Sequence, residues 1–274
     1  MINKVLIVAG MHRSGTSLVA QWLHKCGLQM GEALLGPGIG NADGHFEDID
    51  FLNFHEEVLK NQQLGESGLT EKSVLEIQSD DREKLKSIIE RKNKSNSEWG
   101  WKDPRTCLFL SAYADLIPDA RYLIVIRDYQ STVNSLISRK FKRSDIKHRG
   151  LLDNFIWKII RGNLRKKKLY KEFTEQYVKV WIAYNKAILN HISKKAENSY
   201  LVLDYNMLKT KDKQVFLFLK DNWNFTLEYF DFKNIYKESF MNKADNIEVF
   251  VKDRQLIETA KKLENDLRAL MKFN

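Results

Sequence analysis

The alternation of short apolar segments with helical segments predicts an α/β fold, in which helices cover both faces of a central parallel sheet. Four segments are short, apolar and rich in β-branched or aromatic residues, which is typical of buried strands: residues 5–9, 99–102, 121–126 and 200–203. Ligands of such folds bind beyond the carboxyl ends of the strands. The residues that follow each strand are therefore the first candidates for a functional site.

Segments with helical character lie between and after these strands. They are residues 17–26, 51–59, 80–92, 108–116, 131–139, 214–220 and 256–271. In the first of them, Leu18, Trp22 and Leu23 fall on one side and can be buried. Residues 27–44 contain six glycines and predict a loop.

The chain has 274 residues and three prolines, none of which forms a proline-rich linker. We therefore expect a single domain, residues 1–274, with helical insertions around the sheet. The formal net charge of +9 favours anionic partners, such as a nucleotide, a nucleic acid, an acidic polymer or a membrane surface. The alternative is a basic surface that is simply solvated.

Two cysteines, Cys26 and Cys107, are too few for a disulfide framework and lack the spacing of a metal site. We therefore expect no metal and a reducing, cytoplasmic setting. The apolar run at residues 5–9 is too short for a signal peptide. No stretch approaches the roughly 20 apolar residues of a membrane span.

Residues 10–17, with the sequence GMHRSGTS, link the first strand to the first helix. Gly10 and Gly15 allow a tight turn, and the start of the helix offers free N–H groups to an anion. A nucleoside triphosphatase loop would have lysine where this chain has Thr16, and here Arg13 supplies the cation instead. The pattern predicts a phosphate-binding loop without the triphosphatase lysine.

The segment RSGTS at residues 13–17 resembles the 5′-phosphosulfate loop of sulfotransferases that use 3′-phosphoadenosine 5′-phosphosulfate (PAPS). The resemblance implies a three-layer fold like that of the P-loop nucleotide kinases. It also implies that Arg13, Ser14, Gly15, Thr16 and Ser17 bind the phosphosulfate end of PAPS, without a metal. The alternative is an anion-binding turn with another function.

A second motif lies at the end of the third strand. Sulfotransferases have an arginine at a strand end and a serine eight residues later, which together hold the 3′-phosphate; Arg127 and Ser135 have this spacing. Asp128 is placed to cap the next helix, and Ser135 and Arg139 then share one of its faces. The alternative for Arg127 is a salt bridge with Asp128.

Residues 102–140 are similar to the tyrosylprotein branch of the family, in which Arg139 and Tyr205 match positions that contact the donor. Three departures are visible. Leu18 replaces a tryptophan that stacks on adenine in many cytosolic members, Asn206 replaces a glutamate after Tyr205, and no C-terminal Arg-Lys-Gly element is present.

Sulfuryl transfer requires a base for the acceptor hydroxyl and positive charge for the departing phosphate. Carbohydrate sulfotransferases have a glutamate near aromatic residues in a stretch comparable to residues 44–51, so the resemblance implies that Glu47 is the general base. His45 is the main alternative, because cytosolic members use a histidine, and Glu32 and Asp48 are further alternatives.

Arg13 and Lys102 are the candidates for the positive charge at the bridging oxygen of the donor. Lys102 lies at the end of the second strand, directly before Asp103 and Pro104, and could instead form an ion pair with Asp103.

Basic residues crowd the segments 139–149 and 158–171. An acidic acceptor, a membrane surface and a solvated helix face all remain open for them, whereas no nucleic acid is expected, because no RNA- or DNA-binding motif accompanies the charge. We predict a PAPS-dependent sulfotransferase with a hydroxyl acceptor, first a carbohydrate or glycolipid and next a protein tyrosine or small metabolite. The alternatives are a P-loop kinase with an unusual loop and a non-catalytic protein that binds nucleotides or polyanions.

Overall fold

A computed structural model describes residues 3–38, 44–147, 155–236 and 245–273 of the chain. Within these ranges the sheet has four strands, all parallel: β1 (Lys4–Ala9), β2 (Glu98–Lys102), β3 (Arg121–Ile126) and β4 (Tyr200–Asp204). Their order across the sheet is β2-β1-β3-β4. All four predicted strands and the α/β class are thereby confirmed. The expectation of a single domain over residues 1–274 stays a prediction.

Both faces of the sheet are covered, which explains why the strands have continuous apolar runs. On one face, Leu6 and Val8 pack in a cluster that includes Trp22 and Phe216. On the other face, Ile7 and Ala9 join a larger cluster that includes Trp101 and Trp181. Gly100 of β2 has no room for a side chain, because a Cβ atom there would lie 2.3 Å from the carbonyl oxygen of Leu6.

Eight α-helices occur in the described ranges. They are α1 (Thr16–Lys25), α2 (Ile49–Asn61), α3 (Ser79–Ser95), α4 (Leu110–Leu116), α5 (Tyr129–Lys147), α6 (Phe155–Ile192), α7 (Leu208–Leu217) and α8 (Arg254–Arg268). A 3₁₀ turn, Pro104–Leu108, precedes α4, and a π-helical turn, Phe218–Asn222, follows α7. None of the described helices is long and apolar enough to cross a bilayer.

Three helices differ from the sequence-based expectation. The segment predicted at 131–139 extends to Lys147, and the one predicted at 214–220 begins earlier, at Leu208, and ends in the π-helical turn. The 38-residue helix α6 was not predicted as a helix; the sequence indicated only a basic segment at residues 158–171. Its Tyr177, Trp181 and Tyr184 are buried against the rest of the protein, so tertiary packing stabilises a helix whose amino-terminal half is strongly charged.

Candidate active site

The loop between β1 and α1 is tightly curled. A Cβ atom on Gly10 would lie 2.4 Å from the carbonyl oxygen of Val125, and Gly15 has a φ of +95° at the amino end of α1. Ser14 closes the curl by donating its hydroxyl to the carbonyl oxygen of Met11 at 2.7 Å. Arg13 also has a left-handed backbone, with φ of +70°. The loop therefore has the form of an anion-binding turn leading into a helix.

We expect the substitution Gly15→Ala to destabilise the protein more than Gly27→Ala. Both glycines have φ near +95°, which costs a non-glycine residue about 1–2 kcal/mol. A Cβ atom at Gly27 would meet nothing within 4 Å, whereas one at Gly15 would lie 2.6 Å from ring carbons of Tyr205. Thermal unfolding checks this prediction: the Gly15→Ala midpoint should fall below that of Gly27→Ala, and equal midpoints would contradict the close packing of Tyr205 on the loop.

Arg127 and Ser135 contact this same loop. Arg127 Nη1 donates to the carbonyl oxygen of Arg13 at 2.9 Å, and Arg13 Nε donates to Ser135 Oγ at 2.9 Å. Asp128 caps α5 as predicted, by accepting from the backbone N–H of Ser131 at 2.7 Å. The loop after β1 and the arginine–serine pair after β3 thus lie side by side at the carboxyl edge of the sheet.

Tyr205 directly follows β4, an outer strand of the sheet, and lies at the same carboxyl edge. Its ring packs on Gly15, and the Arg127 guanidinium lies 5.7 Å from the ring centroid. Burial raises the pKa of the Tyr205 hydroxyl, which therefore stays protonated and uncharged at neutral pH.

Lys102, at the end of β2, is fully buried and connects the loop to Glu47. Its Nζ donates to Ser17 Oγ at 3.1 Å and to Glu47 Oε1 at 2.7 Å. Burial lowers the pKa of Lys102, and the charge of Glu47 opposes that shift. The alternative ion pair with Asp103 does not form: the Asp103 carboxylate instead lies 2.9 Å from Arg105 Nη1.

Glu47 is 6% exposed and lies just before α2. Its carbonyl oxygen accepts from the backbone N–H of Leu35 at 2.8 Å, which fixes the backbone here against the preceding segment. Oε2 lies 3.9 Å from Arg105 Nη1, beyond hydrogen-bond distance. The geometry therefore gives Glu47 one oxygen held by Lys102 and a second that is less tightly held.

The other candidate bases differ from Glu47 in their surroundings. Asp48 caps α2 through the backbone N–H of Asp50 and pairs with the buried Lys92 at 2.8 Å, while Glu32 is exposed. His45 Nδ1 lies 3.9 Å from Glu47 Oε1. Burial, together with the charges of Lys102 and Arg139, lowers the pKa of His45 to about 4. His45 is therefore a weaker base than an ordinary histidine.

A model described as "Sulfotransferase family" matches residues 6–216, which contain the loop, Glu47, Lys102, Arg127 and Tyr205. The chain belongs to the sulfotransferase family. No curated protein matches the sequence significantly.

Two solved structures support the fold of this sulfotransferase. The sulfotransferase STF9 from Mycobacterium avium is 14% identical, with a TM-score of 0.56 over 98% of this chain and 69% of that one. A sulfotransferase from Alicyclobacillus acidocaldarius is 13% identical, with a TM-score of 0.51 over 99% of this chain and 96% of that one. Sulfotransferases have a P-loop kinase-like fold, so that part of the prediction is confirmed.

Arg139 lies one helical turn beyond Ser135 on α5 of the sulfotransferase. Its Nε is buried and has no hydrogen-bond partner among the described residues. Burial lowers the pKa of Arg139, the neighbouring charge of Arg143 lowers it further, and Glu47 opposes both. A partly buried cation with a buried, unused donor fits a site that receives an anion.

A buried polar network beside Glu47 and Lys102 was not predicted from the sequence. Arg105 Nη2 contacts Glu56 Oε1 at 2.8 Å, and its Nε donates to the carbonyl oxygen of Glu66 at 2.7 Å. Asp103 lies 3.3 Å from His55 Nδ1, whose other ring nitrogen lies 2.8 Å from the Tyr113 hydroxyl. The sequence feature that could have indicated this network is the largely charged run KDPR at residues 102–105, which begins at the end of a predicted strand.

His12, which sequence patterns also did not indicate, lies inside the loop between β1 and α1 of the sulfotransferase. Its ring packs edge-on against Tyr184 at 6.0 Å, and burial lowers its pKa to about 3, so the ring is neutral at pH 7. Trp22, which follows the loop by one helical turn, is buried and donates to the carbonyl oxygen of Phe230 at 2.8 Å. It belongs to the core, as expected.

In the part of the sulfotransferase that the structure describes, no three His, Cys, Asp or Glu side chains form a group that could hold a metal ion.

Proposed function

We propose that this sulfotransferase uses PAPS as its donor and transfers the sulfuryl group to a hydroxyl of a carbohydrate or glycolipid. The observation that carries the donor assignment is the position of Arg13. Its backbone carbonyl accepts from Arg127, and its Nε donates to Ser135. Arg13 therefore connects the loop after β1 with the arginine–serine pair after β3, and each of these is suited to bind a phosphate group. A nucleotide phosphorylated at both the 3′ and the 5′ position requires two such neighbouring sites.

The residues present fit such a donor. Gly10 and Gly15 let the loop curl closely against Val125 and Tyr205 at the start of α1, and helix amino ends bind anions. Arg139 Nε, buried and without a partner in the described ranges, would gain an acceptor from a phosphate oxygen. We assign the loop residues 13–17 to the 5′-phosphosulfate, Arg127, Ser135 and Arg139 to the 3′-phosphate, and Tyr205 to the nucleoside side of the loop.

Bound PAPS supplies an activated sulfuryl group with a phosphate as its leaving group. Glu47, through its less tightly held oxygen, removes the proton from the acceptor hydroxyl. Lys102 orients Glu47 through the 2.7 Å hydrogen bond from its Nζ to Glu47 Oε1. Together with Arg13, it also supplies positive charge to the departing phosphate. Because transfer through a loose transition state depends on positioning and charge, these fixed contacts are the chain's contribution to catalysis.

A thermal-shift experiment tests the donor. We expect adenosine 3′,5′-bisphosphate to raise the unfolding midpoint more than adenosine 5′-monophosphate or ATP with magnesium. The substitution Arg127→Met should weaken bisphosphate binding roughly 10- to 100-fold, because it removes charge-assisted bonds, and should weaken monophosphate binding less, through loss of the bond to the Arg13 carbonyl alone.

Arg121→Met is the matched control, since Arg121 lies at the opposite end of the same strand. A larger shift with ATP and magnesium would favour a kinase and contradict the proposal. Stabilisation by the bisphosphate with no transfer from labelled PAPS to any carbohydrate, glycolipid, tyrosyl peptide or small hydroxyl compound would favour the non-catalytic alternative.

A further inference from the structure

We infer that Arg105 is a positioning residue for the proposed base: its charge fixes the second carboxylate oxygen of Glu47 while leaving that oxygen free to take a proton. The inference rests on the proposed function and assigns a further residue to the same site. It is carried by the contacts that one buried guanidinium group makes with the residues around it.

The two oxygens of the Glu47 carboxylate have different surroundings. Oε1 accepts from Lys102 Nζ at 2.7 Å, whereas Oε2 lies 3.9 Å from Arg105 Nη1. The side chains of both Glu47 and Arg105 are buried, so solvent screens the attraction between them much less than it would at the surface. That attraction fixes the direction in which Oε2 points without occupying its lone pairs.

Other partners keep Arg105 from closing on Glu47. A guanidinium and a carboxylate that can approach each other freely form hydrogen bonds of about 2.7–2.9 Å. Such a bond to Oε2 would compete with the proton of the acceptor. Arg105 instead donates its Nε to the carbonyl oxygen of Glu66 at 2.7 Å and its Nη2 to Glu56 Oε1 at 2.8 Å.

Asp103 holds the remaining nitrogen of this guanidinium. Arg105 Nη1 donates to Asp103 Oδ2 at 2.9 Å, and the backbone N–H of Arg105 donates to Oδ1 at 2.7 Å. Asp103 is itself fully buried, and His55 Nδ1 lies 3.3 Å from its Oδ2. Each of the three guanidinium nitrogens therefore has a partner, and these partners set the 3.9 Å separation between Arg105 and Glu47.

One short segment supplies the cations on both sides of the carboxylate. Lys102 is the last residue of β2, and Arg105 lies in the 3₁₀ turn that follows directly, Pro104–Leu108. Lys102 thus holds Oε1 and Arg105 faces Oε2 from the same place in the fold. Because reaction rates depend steeply on the placement of the base, this double hold is what makes Arg105 relevant to turnover as well as to folding.

The test is a double-mutant cycle on the full chain, which measures kcat for sulfuryl transfer from labelled PAPS per mole of folded protein. We expect Arg105→Met to lower kcat about 100-fold, because the base is no longer held in place. In the Glu47→Gln background the same change should cost less than about threefold, since no base is left to position. A purely structural role would cost the same factor in both backgrounds. Stabilisation by adenosine 3′,5′-bisphosphate should be the same with and without Arg105→Met.

Tyr184→Phe is the control for packing around Arg105. The Tyr184 hydroxyl donates to the carbonyl oxygen of Gly68 at 2.6 Å, and a Cβ atom on Gly68 would lie 3.2 Å from Arg105 Cγ. This variant loosens the segment that packs on Arg105 and leaves the guanidinium contacts in place. It should lower the unfolding midpoint and keep its kcat.

Glu56→Gln is a milder variant that serves if Arg105→Met does not fold. Glu56 is partly exposed, and an amide there can still accept from Arg105 but carries no charge. Arg105 is then held less firmly and closes on Glu47, so kcat should fall about fivefold, and this loss should disappear in the Glu47→Gln background. Glu57→Gln, one residue further on, faces Lys84 at the surface and should keep its kcat.

The inference is overturned if Arg105→Met, or Glu56→Gln in its place, keeps its kcat, or if it loses the same factor with and without Glu47. It is also overturned if kcat and bisphosphate binding fall together. An absence of transfer by the unmodified chain, or a normal rate of the single variant Glu47→Gln, would refute the proposed function and the inference with it. The two failures therefore give different results.

Discussion

Replacing Lys102 by methionine is expected to lower the rate of sulfuryl transfer from PAPS by roughly 10²–10³-fold, the usual cost of removing one preorganised donor from a reaction centre. Lys102 is fully buried between Ser17 at the start of α1 and Glu47. Methionine has a similar length and no charge, so both the positive field and the bond that orients Glu47 are lost. The measurement is kcat with saturating PAPS and acceptor, expressed per mole of folded protein.

Lys92→Met is the matched control for this experiment. Lys92 is similarly buried, but it pairs with Asp48 at 2.8 Å and Asp50 at 2.6 Å and not with Glu47. Removing one partner of a buried ion pair costs about 3–5 kcal/mol of folding free energy, so both variants should be destabilised. Only Lys102→Met should lose turnover in its folded fraction; a kcat within threefold of the unmodified protein would remove Lys102 from the mechanism.

The substitution Glu47→Gln should reduce kcat by roughly 10²–10⁴-fold, because an amide cannot take the proton of the acceptor hydroxyl. The amide keeps the shape of the side chain and can still accept from Lys102, so binding of adenosine 3′,5′-bisphosphate should change little. A rate measurement at saturating acceptor, paired with the thermal shift, separates the catalytic effect from the binding effect.

Glu98→Gln provides the comparison for Glu47. Glu98 lies at the other end of β2 and also contacts a lysine at 2.7 Å, Lys4 Nζ. It should keep its full rate. Near-normal turnover of Glu47→Gln would instead make His45 the better candidate, and His45→Gln would then be the variant that loses activity.

The parts of this fold that the sequence predicts well are those governed by local rules. Strands buried on both faces have continuous apolar runs, and residues 121–126 contain such a run, rich in β-branched side chains. The arginine–serine spacing of eight places Arg127 at a strand end and Ser135 two turns into the following helix, where the structure has them. Asp128 caps that helix because its side chain can reach the N–H of Ser131.

The contacts missing from the sequence analysis are those between distant segments. Glu47 and Lys102 are 55 residues apart, and nothing local to either one indicates a bond between them. Asp103 is adjacent to Lys102, which made it the obvious partner, but successive strand residues point to opposite sides and the Asp103 carboxylate pairs with Arg105 instead. Similarly, helix α6 is stabilised by the packing of its carboxyl half against the rest of the protein. The charged sequence of its amino half does not reveal this packing.

Each of the four strands ends in a residue assigned to the site: the loop after β1, Lys102 at the end of β2, Arg127 after β3 and Tyr205 after β4. All four strands in the described part of the chain thus end at the proposed site. Local unfolding of either outer strand would therefore remove part of the proposed nucleotide site even while the rest of the protein stayed folded. We therefore expect a donor bound as proposed to stabilise all four described strands together, because ligand binding and the stability of the sheet are thermodynamically coupled.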